Sequence, residues 1–179
     1  SNITKINKNK CNELIIVISS AIPDENEELK AAKKANLKIL HRSDLLSFLI
    51  QEKKSILVAG SHGKTTTSTL ITTLLEKSNQ DPTAIIGGIV PIYNDNAHAG
   101  KGEILVAEID ESDGSIKKYK GDIAVITNIE LDHTDYYKNI DSLIESISNF
   151  TNKCKVTIKN YDCKFFREYF PNDGIWWSI

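Results

Sequence analysis

One junction constrains this chain more than any other. Residues 55–59 form a short apolar run that reads as a buried strand. It passes directly into Gly60-Ser61-His62-Gly63 and then into a helical stretch over residues 64–77. Further apolar runs at 14–18, 38–40, 83–86, 104–108, 123–127, 155–158 and 175–179 alternate with helical patterns from end to end. Such alternation predicts an α/β fold, a mostly parallel sheet with helices on both faces, joined by right-handed crossovers. In sheets of this kind ligands bind at the carboxyl ends of the strands.

Local signals refine the elements. Asp24 and Glu27 are spaced as a capping box for a helix whose first turn holds Glu27 and Glu28 and whose last holds Lys33 and Lys34. Ser43 or Asp44 caps the next helix, and Lys53-Lys54 breaks the pattern before the strand at 55–59. In the helix over 64–77, Leu70, Ile71, Leu74 and Leu75 are the expected buried stripe. Ser142 and Glu145 make a second capping box, opening a helix with Leu143, Ile144, Ile147 and Phe150 inward.

The 179 residues suffice for one α/β domain, or one domain plus a piece of another. The chain contains no methionine and begins with serine, so it is expected to be a segment of something longer. A net charge of −2 demands no basic face, which disfavours nucleic acid as a partner. Cys11, Cys154 and Cys163 lack metal-ligand spacing and read as idle thiols in a reducing compartment. No apolar run reaches the roughly 18 residues of a membrane span, and no signal-peptide pattern opens the chain, so a cytoplasmic protein is expected.

The chemistry starts at the glycine loop. Glycines let backbone N–H groups approach phosphate oxygens, and the helix N-terminus adds positive potential. Gly60, Ser61, His62, Gly63, Lys64, Thr65 and Thr66 are therefore candidate ATP-binding residues. Lys64 would reach the β- and γ-phosphates, and the Thr65 hydroxyl would hold Mg²⁺. The spacing departs from the common G-x-x-x-x-G-K-[ST] pattern: Val58 stands where its first glycine belongs, and Gly60 comes two residues late. A bare G-K-T also occurs at ordinary strand–turn–helix junctions. Helix propensity tilts the balance toward phosphate. Thr65, Thr66, Thr67, Thr69, Thr72 and Thr73 together cost about 2–4 kcal/mol relative to alanine, so stability alone does not explain this helix start.

Two further strand ends gather charge. The run over 104–108 passes into Glu108-Ile109-Asp110-Glu111-Ser112-Asp113. A solvated loop accounts for Asp113 and for Glu111, but Glu108 still lies within the strand, where a carboxylate is costly unless it binds something. Mg²⁺ takes one or two carboxylates beside phosphate oxygens and water, so Glu108 is the first metal-ligand candidate. The run over 123–127 ends in Asn128-Ile129-Glu130-Leu131-Asp132-His133, which puts His133 among acids at a neighbouring strand end. Asp110, Glu111, Ser112 and Asn128 are candidate substrate contacts. His41 and His98 have no such context.

Together, G-S-H-G-K-T-T-T at 60–67, A-E-I-D-E-S-D at 107–113 and T-N-I-E-L-D-H at 127–133 resemble the central ATPase domain of the Mur ligases. Val17 to Pro23 resembles the end of that family's Rossmann-like N-terminal domain, and Gly87-Gly88 its glycine pair after the second central strand. The resemblance implies residues 1–53 as the last part of a UDP-substrate-binding domain plus linker, residues 54–179 as the ATP-binding domain, and a third, ligase domain outside this chain. It implies transfer of the ATP γ-phosphoryl group to a substrate carboxylate, followed by attack of an amino acid amine. Lys64, Glu108 and His133 would be catalytic. Thr65 and Glu108 would hold one Mg²⁺, and His133 with Glu108 a second. No lysine lies within residues 142–149, where later ligases of the pathway carry a carbamylated one. That matches the branch adding L-alanine to UDP-N-acetylmuramate in peptidoglycan precursor synthesis, which the D-E-S-D run favours, and it also fits the ligase that reattaches recycled tripeptide. Partners would be ATP, UDP-N-acetylmuramate and an amino acid, and the chain alone is expected not to ligate. Folylpolyglutamate-synthase-like and cyanophycin-synthetase-like ligases fit the D-E-S-D and N-I-E-x-D-H text less well. A stand-alone P-loop nucleotide-binding module should carry the ordinary loop spacing.

Overall fold

Every apolar run named above becomes a strand. A computed structural model describes residues 14–130, 136–171 and 174–178, and the chain divides into two units, Ser1–Phe48 and Leu49–Ile179. In the first unit, β1 (Ile15–Ile18) pairs in parallel with β2 (Lys38–His41), with Ile15 opposite Lys38 and Ile18 opposite His41. Ile15 and Val17 point to an exposed side, so β1 is half-covered rather than buried on both faces. Helix α1 (Glu27–Lys34) buries Leu29 and Ala32. Its cap is Asn26, not Asp24: the Asn26 side chain accepts from the Glu28 and Leu29 amides at 2.9 and 3.0 Å. A turn from Pro23, closed by the Asn26 amide, delays the helix, and Asp24 instead pairs with Lys33 at 2.8 Å. Helix α2 (Arg42–Gln51) carries the chain into the second unit.

The second unit runs β3 (Lys54–Ala59), α3 (Lys64–Lys77), β4 (Thr83–Val90), β5 (Asp95–His98) and β6 (Ile104–Glu108). A 3-10 turn (Ser115–Lys118) leads to β7 (Ile123–Ile126), α4 (Ile140–Thr151), β8 (Val156–Asn160), α5 (Lys164–Tyr169) and β9 (Ile175–Trp177). The sheet order is β5-β4-β6-β3-β7-β8-β9, and every pairing but β4–β5 is parallel. From β3 the chain crosses to β4 on one side, and from β7 it steps outward to β8 and β9 on the other. Because these connections run in opposite directions, right-handed crossovers would put α3 on one face of the sheet and α4 and α5 on the other. Val58 lies level with Glu108 on β6 and with Val125 on β7, so the loops after β3, β6 and β7 emerge together at one edge.

The central strands are buried along most of their length: Leu57, Val58, Ala59, Val106, Ala107, Ala124 and Ile126 are inaccessible to solvent. Helix α4 buries Leu143, Ile144, Ile147 and Phe150 as its periodicity predicts. Its cap, however, is Asn139, whose side chain accepts from the Ser142 amide at 2.9 Å, and Ser142 sits inside the first turn. On α3 the expected stripe is wrong. Leu70 and Leu74 are 59% and 66% exposed, while Ser68 and Thr72 are buried. The loop decides this: once Thr65 faces the strand ends, positions three and seven residues later follow it onto the sheet, and Leu70 and Leu74 turn away. The β4–β5 hairpin was not expected, because Asp-Asn-Ala-His lacks any apolar alternation. Among the described residues no helix is long and apolar enough to cross a membrane.

Candidate functional site

The loop between β3 and α3 is shaped by its glycines. Gly60 has φ +127° and lies so close to the loop after β7 that a Cβ there would meet the Thr127 hydroxyl at 2.2 Å and the Asn128 carbonyl at 2.8 Å. Only glycine satisfies both demands. The contact is fastened on both sides. Thr127 Oγ1 donates to the His62 carbonyl at 2.6 Å, the His62 amide donates to Asn128 Oδ1 at 2.9 Å, and Asn128 Nδ2 returns to the His62 carbonyl at 3.1 Å. Ser61 Oγ donates to the Glu130 carbonyl and accepts from the Glu130 amide, each at 2.8 Å. The loops after β3 and β7 thus form one rigid ledge.

Beside that ledge opens a cleft of about 270 Å³ lined by Ser61, His62, Gly63, Lys64, Thr65, Thr66 and Glu108. Of the six threonines in this helix only Thr65 and Thr66 line it. Thr72 is buried against the sheet, and Thr73 bonds back to the Thr69 carbonyl at 2.8 Å, so two of the six threonines serve packing rather than site chemistry. Lys64 Nζ donates to the Gly60 carbonyl at 2.7 Å and to Glu111 Oε1 at 3.1 Å. Glu111 is not a solvated loop residue: its side chain is 2% exposed, and that of Lys64 only 14%. Burial pushes the Glu111 carboxyl above its ordinary range, and the Lys64 ammonium pulls it partly back. The Tyr137 hydroxyl, itself buried, donates to the Glu111 carbonyl at 2.9 Å and fixes the turn.

Glu108 stands at the centre of the strand ends. Its Oε2 accepts from the Thr65 hydroxyl at 2.9 Å and from the Gly87 amide at 2.9 Å. Sequence reasoning placed Thr65 and Glu108 together but did not find Gly87 as a donor. The signal was the glycine pair inside β4: a Cβ on Gly88 would meet Thr65 Cγ2 at 2.7 Å, and one on Gly87 would meet Glu108 Oε1 at 3.1 Å. A hydroxyl and a carboxylate facing a polar cleft form an all-oxygen donor set, which fits Mg²⁺ beside phosphate oxygens.

The remaining candidates divide. Asn128 belongs to the ledge, where both ends of its amide are engaged by His62. Asp110 Oδ1 accepts from the Ser112 amide at 2.9 Å, closing a turn just past β6. The His62 ring faces Glu130 at 3.4 Å with both side chains largely exposed. His133 lies outside the described residues.

The model of the Mur ligase middle domain matches residues 58–176, and that of the Mur ligase family catalytic domain matches residues 2–54. A UDP-N-acetylmuramate–L-alanine ligase of Prochlorococcus marinus (strain SARG) is 66% identical over 178 residues, 99% of this chain and 38% of that enzyme. The ligase of the same name from Synechococcus sp. (strain CC9311) is 54% identical over 92% of this chain and 34% of its own length. The chain therefore spans a little over a third of the curated relatives it matches. Among solved structures, UDP-N-acetylmuramate-alanine ligase MurC from Thermotoga maritima shares the fold with a TM-score of 0.82 at 21% identity, covering 92% of this chain and 38% of that one. With its middle-domain match running over about two thirds of its length, the chain belongs to the Mur ligase family.

Proposed function

We propose that this chain is the ATP-handling part of an ATP-dependent ligase that joins L-alanine to UDP-N-acetylmuramate in the cytoplasm. The observation that carries the reading is Glu108 Oε2, held between the Thr65 hydroxyl and the Gly87 amide at the mouth of a glycine loop. The high identity to ligases of that name supports the choice of substrates. We also propose that residues 1–53 belong to the UDP-substrate domain and residues 54–179 to the ATP-binding domain.

The residues divide the work as phosphoryl transfer requires, by positioning and charge neutralisation. Backbone N–H groups of Gly63, Lys64, Thr65 and Thr66 at the start of α3 hold phosphate oxygens, with Gly63 leaving room for them, while the Ser61 and His62 amides stay bonded to Asn128. Lys64 is anchored by the Gly60 carbonyl and by Glu111, which together fix where its ammonium group sits. It meets the charge that develops on the γ-phosphoryl group. Thr65 and Glu108 would hold Mg²⁺, and Glu108 with His133 a second ion, and bound there the metal would neutralise phosphate charge. The γ-phosphoryl group passes to the muramate carboxylate and ADP leaves. The alanine amine then attacks the acyl carbon, loses a proton, and phosphate departs. Asp110, Glu111, Ser112 and Asn128 were the candidate substrate contacts; we now assign Glu111 to holding Lys64 and Asn128 to holding the loop.

A hybrid tests the whole reading: this segment replaces its counterpart in the Prochlorococcus marinus relative. Amide formation from ATP, UDP-N-acetylmuramate and L-alanine is expected, lost on Lys64→Ala, and absent from the 179-residue chain alone. A folded hybrid that turns over only with a tripeptide in place of L-alanine would transfer the assignment to the recycling ligase. No turnover with either would overturn it.

A further inference from the structure

We propose that Glu76, Asp81 and His98 form a binding site for a divalent transition-metal ion of the Zn²⁺ class, separate from the nucleotide cleft. The three come from different elements: the last turn of α3, the turn between α3 and β4, and the end of β5. One ligand atom from each lies within 4.8 Å of the other two, and among the described residues this is the one such group of histidine, cysteine and carboxylate side chains. His98 Nε2 and Asp81 Oδ1 are 3.1 Å apart. Two ligands at 2.0–2.1 Å from one tetrahedral ion are separated by roughly 3.3 Å, so this pair already has the right spacing.

The surroundings hold each ligand in place from outside the triad. The Tyr93 hydroxyl donates to Glu76 Oε2 at 2.8 Å, and the Lys101 amide donates to Asp81 Oδ2 at 2.9 Å. The Tyr93 ring also stacks on the His98 ring, with centroids 4.0 Å apart and planes 12° from parallel. Tyr93 therefore orients two of the three ligands, one by a hydrogen bond and one by contact. Donors of this kind, behind the ligands, set ring and carboxylate orientation at metal sites. The mixed nitrogen and oxygen donors select an imidazole-seeking ion over Mg²⁺, which the all-oxygen cleft at Thr65 and Glu108 suits instead. The two sites are thus distinguished by the chemistry of their ligands.

Titration of the purified chain with Zn²⁺, and with Co²⁺ as a visible-absorbing probe, tests the site without any nucleotide. One ion per chain is expected to bind, to raise the melting temperature, and to stay bound against roughly a hundredfold excess of Mg²⁺. His98→Ala and Glu76→Gln should each weaken binding at least tenfold, and Tyr93→Phe about tenfold. His41→Ala should leave it unchanged. Far-UV circular dichroism of each metal-free variant checks folding, and Glu76→Gln carries the test should His98→Ala not fold. Absence of Zn²⁺ binding, or binding equal in wild type and His98→Ala or Glu76→Gln, would overturn the proposal and leave the triad as a hydrogen-bonded clip on the hairpin.

Discussion

Glu108 ends β6 with one oxygen shared between a hydroxyl on α3 and an amide on β4, and the neutral isostere separates its charge from its shape. Glu108→Gln should fold normally and lower Mg²⁺-dependent ATP affinity at least tenfold, because the amide still packs but no longer offers an anion to the ion. Calorimetry with and without Mg²⁺ reads this directly; equal affinities would remove Glu108 from the metal site. Gly60→Ala tests the ledge. The added Cβ meets Thr127 Oγ1 at 2.2 Å and the backbone has positive φ, so a cost of about 2–3 kcal/mol in urea denaturation is expected, with ATP binding lost alongside. Thr65 and Glu108 were legible as residues because hydroxyl, carboxylate and glycine loop imply one another chemically. Glu111 was not. A glutamate three residues past a strand reads as solvated, and its burial follows from the Lys64 and Tyr137 contacts, which join residues far apart in sequence.

Helices α3 and α4 show how periodicity succeeds and fails at the scale of an element. On α4 no functional constraint competes, the apolar stripe is buried, and Phe150→Ala should cost about 3–5 kcal/mol. On α3 the loop dictates the rotation, so Leu74→Ala should change stability by no more than about 0.5 kcal/mol despite being a leucine in a helix. At the amino ends of the strands, Asp122 ties three of them together. It accepts from the Ser55 amide at 2.8 Å and pairs with Lys155 at 2.6 Å. These bonds, the Lys155 contact first, hold its carboxyl below the ordinary value of 3.8. A depressed carboxylate stabilises the fold above its unfolded-state value and loses that contribution as pH falls through the folded-state one. Asp122→Asn should therefore cost about 1 kcal/mol at neutral pH, where the exposed lysine is screened, and nothing further once acid has protonated the wild type. A stability difference that persisted unchanged as the pH fell well below 3.8, past the folded-state value, would contradict that sign.

At the scale of the molecule, alternation of strand and helix made the fold class legible, and three motifs in order made the family legible. The strand order was not, because periodicity says which segments are strands and nothing about which are neighbours. The β4–β5 hairpin escaped notice for a related reason: a polar edge strand carries no alternating signal. What the order β4-β6-β3-β7 accomplishes is functional, since it delivers the Gly60 loop, Glu108 and Thr127 to one edge of the sheet. The central claim is that this edge holds the triphosphate and its ion. A crystal structure of the chain with Mg²⁺ and a non-hydrolysable ATP analogue tests it most directly. The expected result is a triphosphate in the glycine loop against the amides of residues 63–66, with the ion between Thr65 and Glu108. A nucleotide seated elsewhere, or an ion touching neither side chain, would contradict it.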